Sequence, residues 1–308
     1  MNTRRAFLKN GALALVGTAS IPSFLTRAVM AQATAASASR RKLVVIFQSG
    51  AADGLNIVVP HAEPSYFQMR PTIAIPPQQI IDLDGFFGLH PAIAPLKPLW
   101  DQKHLAIVHA AGSPDMTRSH FDAQDYMESG TPGVKATEDG WLNRALQAED
   151  ERRRAKETPF RAVALTAEMP RTLEGRVPAL ALNRLRDFRV GGASQASGNL
   201  QNSFESLYDQ SADAVLRGAG QEMFDAAKML KATDPARYVP SAGAEYPRGA
   251  FGDSMRQIAQ LLKANLGGEA AFADIGGWDH HQNEGGAEGQ LAGRLREFSQ
   301  SLSAFWTD

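Results

Sequence analysis

The sequence contains no cysteine among its 308 residues. Disulfide bonds and thiolate metal ligands are therefore excluded, and any transition metal must be held by His, Asp or Glu side chains. An excess of charge of one sign is also lacking, because 32 Lys and Arg stand against 33 Asp and Glu. A nucleic-acid-binding surface would need a concentrated basic excess, so the composition argues against nucleic acid as a partner.

A hydrophobic run long enough to span a membrane is missing as well. The apolar stretch at residues 11–25 is short and is interrupted by glycine, threonine and proline, so it predicts no stable span. It follows Thr-Arg-Arg-Ala-Phe-Leu-Lys at residues 3–9, which is typical of a twin-arginine export signal. We expect residues 1–33 to be a signal peptide and residues 34–40 a spacer. The twin-arginine translocase would then be a partner during export, and the protein would be periplasmic or secreted. The alternative is a cytosolic N-terminal helix with a chance arginine pair.

The rest of the chain, residues 41–308, is long enough for one large α/β domain. Apolar runs rich in β-branched residues predict buried strands of a parallel sheet, and helical patterns alternate with them. A helical segment at about residues 204–266 is expected to be an insertion or cap. Strands are predicted at residues 43–47, 105–108, 160–165, 178–182 and 271–275, a surface hairpin at 72–75 and 80–83, and helices at 91–100, 119–129, 140–156, 204–232 and 250–266.

Three polar loops follow predicted strands. The first contains Asp53, the second spans residues 117–124 with the sequence Thr-Arg-Ser-His-Phe-Asp-Ala-Gln, and the third spans residues 274–286 with the sequence DIGGWDHHQNEGG. Because ligand sites gather at the carboxyl ends of parallel strands, we expect the polar residues of these loops to converge on one edge of the sheet.

The first two loops each have a chemical and a structural interpretation. Asp53 could ligate a divalent cation, but Asp-Gly is also a common turn pair. Ser119 could be a nucleophile at a helix start, with Arg118 pairing with phosphate or sulfate oxygens. Ser119 could equally be an N-cap, with Asp122 three residues on as in a capping box. The two roles of Ser119 are compatible.

The third loop carries a carboxylate and two imidazoles in a row. Asp279 and His281 are two residues apart, so in an extended segment they point to the same side and could share one cation, whereas His280 would point away. Aspartate and imidazole suit zinc, manganese or iron better than calcium. A polar turn that is rich in histidine is the alternative. Trp278 is expected in the core, although it could also form a wall of the site.

Taken in order, the motifs resemble an exported family of uncharacterised domains, number 1501, in the alkaline phosphatase and sulfatase superfamily. The matching segments are Gly-Ala-Ala-Asp-Gly-Leu-Asn at 50–56, Ser-His-Phe-Asp-Ala-Gln at 119–124 with Glu-Ser-Gly at 128–130, and Gly-Gly-Trp-Asp-His-His at 276–281. The resemblance implies an α/β fold, a three-layer alkaline-phosphatase-like sandwich around a mostly parallel central sheet.

The same resemblance implies a metal-dependent hydrolase of small phosphate or sulfate esters. In that reaction Ser119 is the nucleophile candidate. Beside it in the sequence, Arg118 is a candidate contact for the oxyanion, and His120 is a further candidate catalytic residue. The implied metal ligands are Asp53, Asp279 and His281, holding zinc or manganese.

One part of the family pattern has no counterpart in the sequence. The family continues with a further strand and a Gly-Thr-Asp-His-Gly motif, which supplies an Asp and a His for a second metal. Here the sequence ends at Asp308 inside an amphipathic helical pattern without a stop signal. We therefore expect a truncated chain that lacks C-terminal strands and is impaired in activity. The alternative function is a non-catalytic exported binding or assembly protein that retains the fold.

Overall fold

The computed structural model describes residues 42–153, 158–185, 229 and 237–308. The predicted signal peptide and spacer lie outside the described residues. So does the predicted helix at 204–232, apart from Met229.

Seven strands within these ranges form two sheets. Four of them make a sheet of order β1-β7-β5-β6, in which every neighbouring pair is parallel. The other three make a small antiparallel sheet of order β2-β4-β3. The prediction of an α/β protein with a mostly parallel sheet is therefore confirmed. The strands are β1 (Leu43–Gln48), β2 (Val58–Val59), β3 (Ile81–Asp82), β4 (Gly88–Leu89), β5 (Ala162–Ala164), β6 (Leu180–Ala181) and β7 (Ala270–Ile275).

Helices connect the strands. Those predicted at residues 140–156 and 250–266 are confirmed over their described parts, and the one predicted at 91–100 is a 3-10 turn followed by a short α-helix. No helix in the described ranges is both long and apolar enough to cross a membrane. The helices are α1 (Gly54–Ile57), α2 (Pro64–Met69), α3 (Lys97–Asp101), α4 (His120–Ser129), α5 (Trp141–Arg153), α6 (Ala250–Lys263) and α7 (Gln290–Thr307), with 3-10 turns at Pro77–Gln79, Pro91–Leu96 and Arg171–Leu173.

Both faces of the parallel sheet are covered, because successive side chains of a strand point to opposite faces. In β7, Ala271 and Ala273 pack with residues of α6 and α7, whereas Ala270 and Phe272 pack with residues of α5. The continuous apolar runs of the sequence therefore reflect strands with a hydrophobic cluster on each side.

The predicted strand at residues 105–108 does not form, and that prediction is wrong. The N–H groups of His104 and Leu105 both donate to the carbonyl of Leu99, which closes the end of α3. Lys103 turns the chain there with a φ of 63°. Leu105 packs on the core, but Val108 is 78% exposed. The local helix end therefore prevails over the β propensity of a short run.

The predicted surface hairpin is partly correct. Ile81 and Asp82 form β3, which pairs with β4 rather than with residues 72–75. Residues 72–75 form no strand; instead the N–H of Ile75 donates to the hydroxyl of Tyr66, and both side chains are buried. The small sheet thus lies over a core of its own.

Candidate metal centre

The loop before α4 is shaped by a series of side-chain to backbone hydrogen bonds. Ser113 Oγ accepts from the N–H of Asp115 at 3.1 Å, Asp115 Oδ1 from the N–H of Thr117 at 2.8 Å, and Thr117 Oγ1 from the N–H of Ser119 at 3.1 Å. Ser119 Oγ then accepts from the N–H of Asp122 at 3.3 Å, as an N-cap does. Short polar residues at every second position therefore fix the entry into the helix.

The exit of β7 is anchored by a buried tryptophan. Trp278 is fully buried, and its indole N–H donates to the carbonyl of Ile275 at 2.6 Å, so its expected place in the core is confirmed. Gly277 has a φ of 83°, and the guanidinium of Arg294 lies where a Cβ would be. Only glycine fits there without strain. This rigid turn delivers Asp279 to the surface.

Three side chains from the second and third loops meet at the carboxyl end of the sheet. His281 Nε2 lies 3.0 Å from Asp279 Oδ2, and His120 Nε2 lies 3.4 Å from the same oxygen. The ligand atoms of the three residues all lie within 4.8 Å of one another, so they could hold one metal ion. We call His120, Asp279 and His281 the metal triad. Their side chains are 45%, 36% and 81% exposed, so the triad is open to solvent.

The two neighbouring strands bring the first and third loops together. Ser49, after β1, donates a hydrogen bond to Asp274 of β7 at 3.0 Å. Gly50 has a φ of 121°, and a Cβ on it would lie 3.2 Å from the backbone nitrogen of Asp279. The expected convergence of these loops is therefore found, and glycine permits the close approach.

Asp53 lies outside the metal triad. Its Oδ1 accepts from Arg70 Nη2 at 3.0 Å and from the N–H of Leu55 at 3.2 Å, and its Oδ2 accepts from Arg70 Nη1 at 2.5 Å. Burial alone would raise the pKa of Asp53, but hydrogen bonds with Arg70 and Glu284 bring that pKa below its ordinary value. Asp53 is thus both the N-cap of α1 and half of an ion pair.

Glu284 belongs to the third loop and contacts Asp53. Burial, and then the hydrogen bond and negative charge of Asp53, raise the pKa of Glu284 to about 7. Its Oε1 is buried without a hydrogen-bond partner among the residues that the structure describes. The first and third loops therefore share a second polar cluster beside the metal triad.

A buried histidine ties the third loop to the rest of the fold. His90 is fully buried, its Nδ1 accepts from the N–H of Ala92 at 3.0 Å, and its Nε2 donates to the carbonyl of Gly286 at 3.0 Å. These two bonds require the neutral ring. Burial lowers the pKa of His90 below its ordinary value, and the positive charge of Arg296 lowers it further. The hydrogen bond to Gly286 and the negative charge of Glu288 raise this pKa but do not offset the effect of burial.

The remaining predicted site residues surround the triad. Arg118 is exposed, and its side chain has no hydrogen bond or ion pair within the described ranges, so it is available to an anion. His280 lies apart from the triad, as its alternating position predicts. The sequence placed His120 beside the nucleophile candidate but did not indicate that it would join Asp279 and His281.

The fold and the triad together define an α/β protein with a candidate metal centre at the carboxyl edge of a parallel sheet. The chain belongs to the family described as protein of unknown function (DUF1501), which it matches over residues 100–308. Neither the curated proteins nor the solved structures give a significant match.

Proposed function

We propose that this protein is an exported, metal-dependent hydrolase of small phosphate or sulfate esters. Its fold would be a three-layer sandwich of the alkaline-phosphatase kind. The observation that carries the proposal is the meeting of His120, from the start of α4, with Asp279 and His281, from the exit of β7. Residues far apart in sequence supply two imidazoles and a carboxylate to one point beside a serine at a helix N-terminus.

The donor set suits zinc or manganese. Imidazole and carboxylate ligands are those of many catalytic zinc sites, in which three protein ligands leave a position open for substrate. The open surface of the triad is consistent with such a position. The ion would supply positive charge that neutralises the charge developing on an ester oxygen.

We assign the remaining steps to Ser119 and Arg118. The exposed guanidinium of Arg118 binds the non-bridging oxygens of the ester. Ser119 loses its hydroxyl proton to water, and its Oγ bonds to phosphorus or sulfur. The bond to the leaving oxygen breaks, and that oxygen takes a proton from water and departs as the alcohol. Water then cleaves the ester formed on Ser119 and releases phosphate or sulfate. The amide groups at the start of α4 stabilise negative charge on Oγ.

Metal content and turnover, measured on the same preparations, test this function. We expect metal analysis of the protein to find zinc or manganese and 4-nitrophenyl phosphate or sulfate to be hydrolysed. Asp279→Asn and His281→Gln should lose both metal and turnover, whereas Ser119→Ala should lose turnover alone. Asp101→Asn, an exposed carboxylate that is paired with Lys97, is the matched control. Metal-free wild-type protein would refute the proposal.

A second candidate is a non-catalytic exported binding or assembly protein. The observation that favours it is the hydrogen bond from the N–H of Asp122 to Ser119 Oγ, which gives the serine a structural task. Under this alternative, Ser119→Ala would leave a stable partner complex unchanged and would cost only helix stability, about 1 kcal/mol for a lost N-cap. Loss of turnover with retained metal would decide for the hydrolase.

Export by the twin-arginine route is a separate part of the proposal, and it rests on the Arg-Arg pair at residues 4–5. Replacing both arginines with lysine should retain the protein in the cytoplasm. Cell fractionation followed by immunoblotting measures the result. Unchanged recovery in the periplasm or medium would contradict this route.

A further inference from the structure

Both oxygens of the Asp53 carboxylate already accept hydrogen bonds. Oδ1 accepts two hydrogen bonds and Oδ2 accepts a short one, and the two parallel bonds from Arg70 form a bidentate pair. The side chains of Arg70 and Asp53 are only 22% and 13% exposed. Water screens such a pair less than a surface pair, so its attraction is stronger than that of an exposed ion pair.

A buried framework holds Arg70 in this position. Asn56 is fully buried, its Nδ2 donates to the carbonyl of Ile73 at 3.0 Å, and its Oδ1 accepts from Tyr66 at 2.7 Å and from Arg70 Nη1 at 3.4 Å. Tyr66 in turn accepts from the N–H of Ile75 at 2.9 Å. The guanidinium is therefore fixed by the packing of α1, α2 and the segment after α2.

The charges of Arg70 and Asp53 balance without a metal ion. Arg70 carries one positive charge, Asp53 carries one negative charge, and the two side chains form an ion pair. A divalent ion entering here would meet a guanidinium already bonded to both carboxylate oxygens and would have to displace it.

We propose that the guanidinium of Arg70 occupies the place of a second cation at Asp53, so that the centre binds one divalent ion, on the metal triad. The inference rests on the proposed function for its metal ion and departs from the ligand set that the family resemblance implies, in which Asp53 binds metal.

Zinc stoichiometry of the full chain tests this inference. Zinc chloride is titrated into chelator-treated protein by calorimetry, and bound zinc is counted by elemental analysis. We expect the wild type to bind one equivalent of zinc. Asp53→Asn should also bind one equivalent, with an affinity for zinc that changes less than about threefold. Asp279→Asn should bind no zinc at that affinity. Lys97→Gln, which removes a partly buried cation that is paired with Asp101, is the matched control for Arg70→Gln.

Removing the positive charge of Arg70 should increase the amount of zinc that the protein binds. With Asp53 released, Arg70→Gln should gain a second, weaker equivalent of zinc, and the double variant Asp53→Asn/Arg70→Gln should lose it again. A folded Arg70→Gln variant with only one equivalent would overturn the inference. If Arg70→Gln does not fold, the comparison of wild type with Asp53→Asn still decides the question.

The outcomes separate the inference from the proposed function. Two equivalents in the wild type that fall to one in Asp53→Asn would overturn the inference and leave a metal-dependent hydrolase standing. If the wild type binds neither zinc nor manganese, the proposed function is overturned. The inference that the centre binds one ion is then overturned as well.

Discussion

Asp308 makes the densest set of polar contacts at the end of α7. Its carboxylate is fully buried and accepts from the hydroxyls of Tyr238 and Tyr246, the latter at 2.9 Å, from the N–H of Ser241 at 2.7 Å and from Lys263 Nζ. Burial alone would raise the pKa of Asp308, but these bonds hold that pKa far below its ordinary value of 3.8. The substitution Asp308→Asn therefore removes a charge that four donors stabilise.

The structure sets the expected size of the effect. Breaking a buried charged pair costs about 3–5 kcal/mol, and a hydrogen bond to a charged group contributes about 1.5–3 kcal/mol. Two facts reduce the cost: Lys263 is 41% exposed, so its attraction is screened, and asparagine keeps one acceptor oxygen. We therefore expect Asp308→Asn to lower the free energy of unfolding by about 2–4 kcal/mol at pH 7, which corresponds to a fall in Tm of about 5–12 °C.

Urea unfolding and thermal melts of the variant measure this loss, with Asp101→Asn as a control that should change stability by less than about 0.5 kcal/mol. The pH dependence gives a second signature. Because the folded-state pKa of Asp308 is depressed, its contribution is present above pH 3.8 and is lost as the pH falls through the folded-state value. An Asp308→Asn protein within 0.5 kcal/mol of the wild type at pH 7 would refute this reasoning.

Two further predictions concern the buried histidine and the packing of glycines. Because burial lowers the pKa of His90, the contribution of His90 to stability is present above pH 6.5 and is lost as the pH falls through the lower folded-state pKa. The wild-type protein should therefore lose stability between pH 6.5 and 5, as measured by urea unfolding. His90→Asn should make this loss smaller. An unchanged slope would contradict this. Gly140→Ala places a Cβ 2.0 Å from a backbone carbonyl oxygen and should lower the free energy of unfolding by about 3 kcal/mol. By contrast, a Cβ on Gly293 meets no atom within 4 Å. Gly293→Ala should therefore stabilise α7 by about 0.5–1 kcal/mol. Equal melting temperatures for the two glycine variants would show that the close contact at residue 140 relaxes.

Local sequence patterns predicted the strands β1 and β7. Their apolar runs indicate strands because hydrophobic clusters pack on both faces of the sheet. The spacing of Asp279 and His281 predicted their shared side because an extended loop alternates its side chains. Both predictions depend only on residues close in sequence.

Features that depend on distant partners have weaker signals in the sequence. Residues 105–108 have the composition of a strand, yet no strand in the described ranges pairs with them. Asp53 has the sequence context of a ligand, but Arg70, 17 residues later, takes both of its oxygens. No local signal marks Arg70 as that partner, because the contact is set by the packing of α1 against α2. Glu284 joins the same cluster from the other end of the chain.

The pairing of β1 with β7 determines the stage of synthesis and folding at which the triad can form. Ser49 and Asp274, which are hydrogen-bonded at this junction, are 225 residues apart in sequence. A ribosome releases β1 long before β7 has been made, and contacts across so long a loop close late and slowly. His120 therefore cannot contact Asp279 and His281 until those two residues have been synthesised, and a nascent chain that ends before them has no complete triad. If the triad binds a metal ion, that ion is expected to enter a completed, folded molecule.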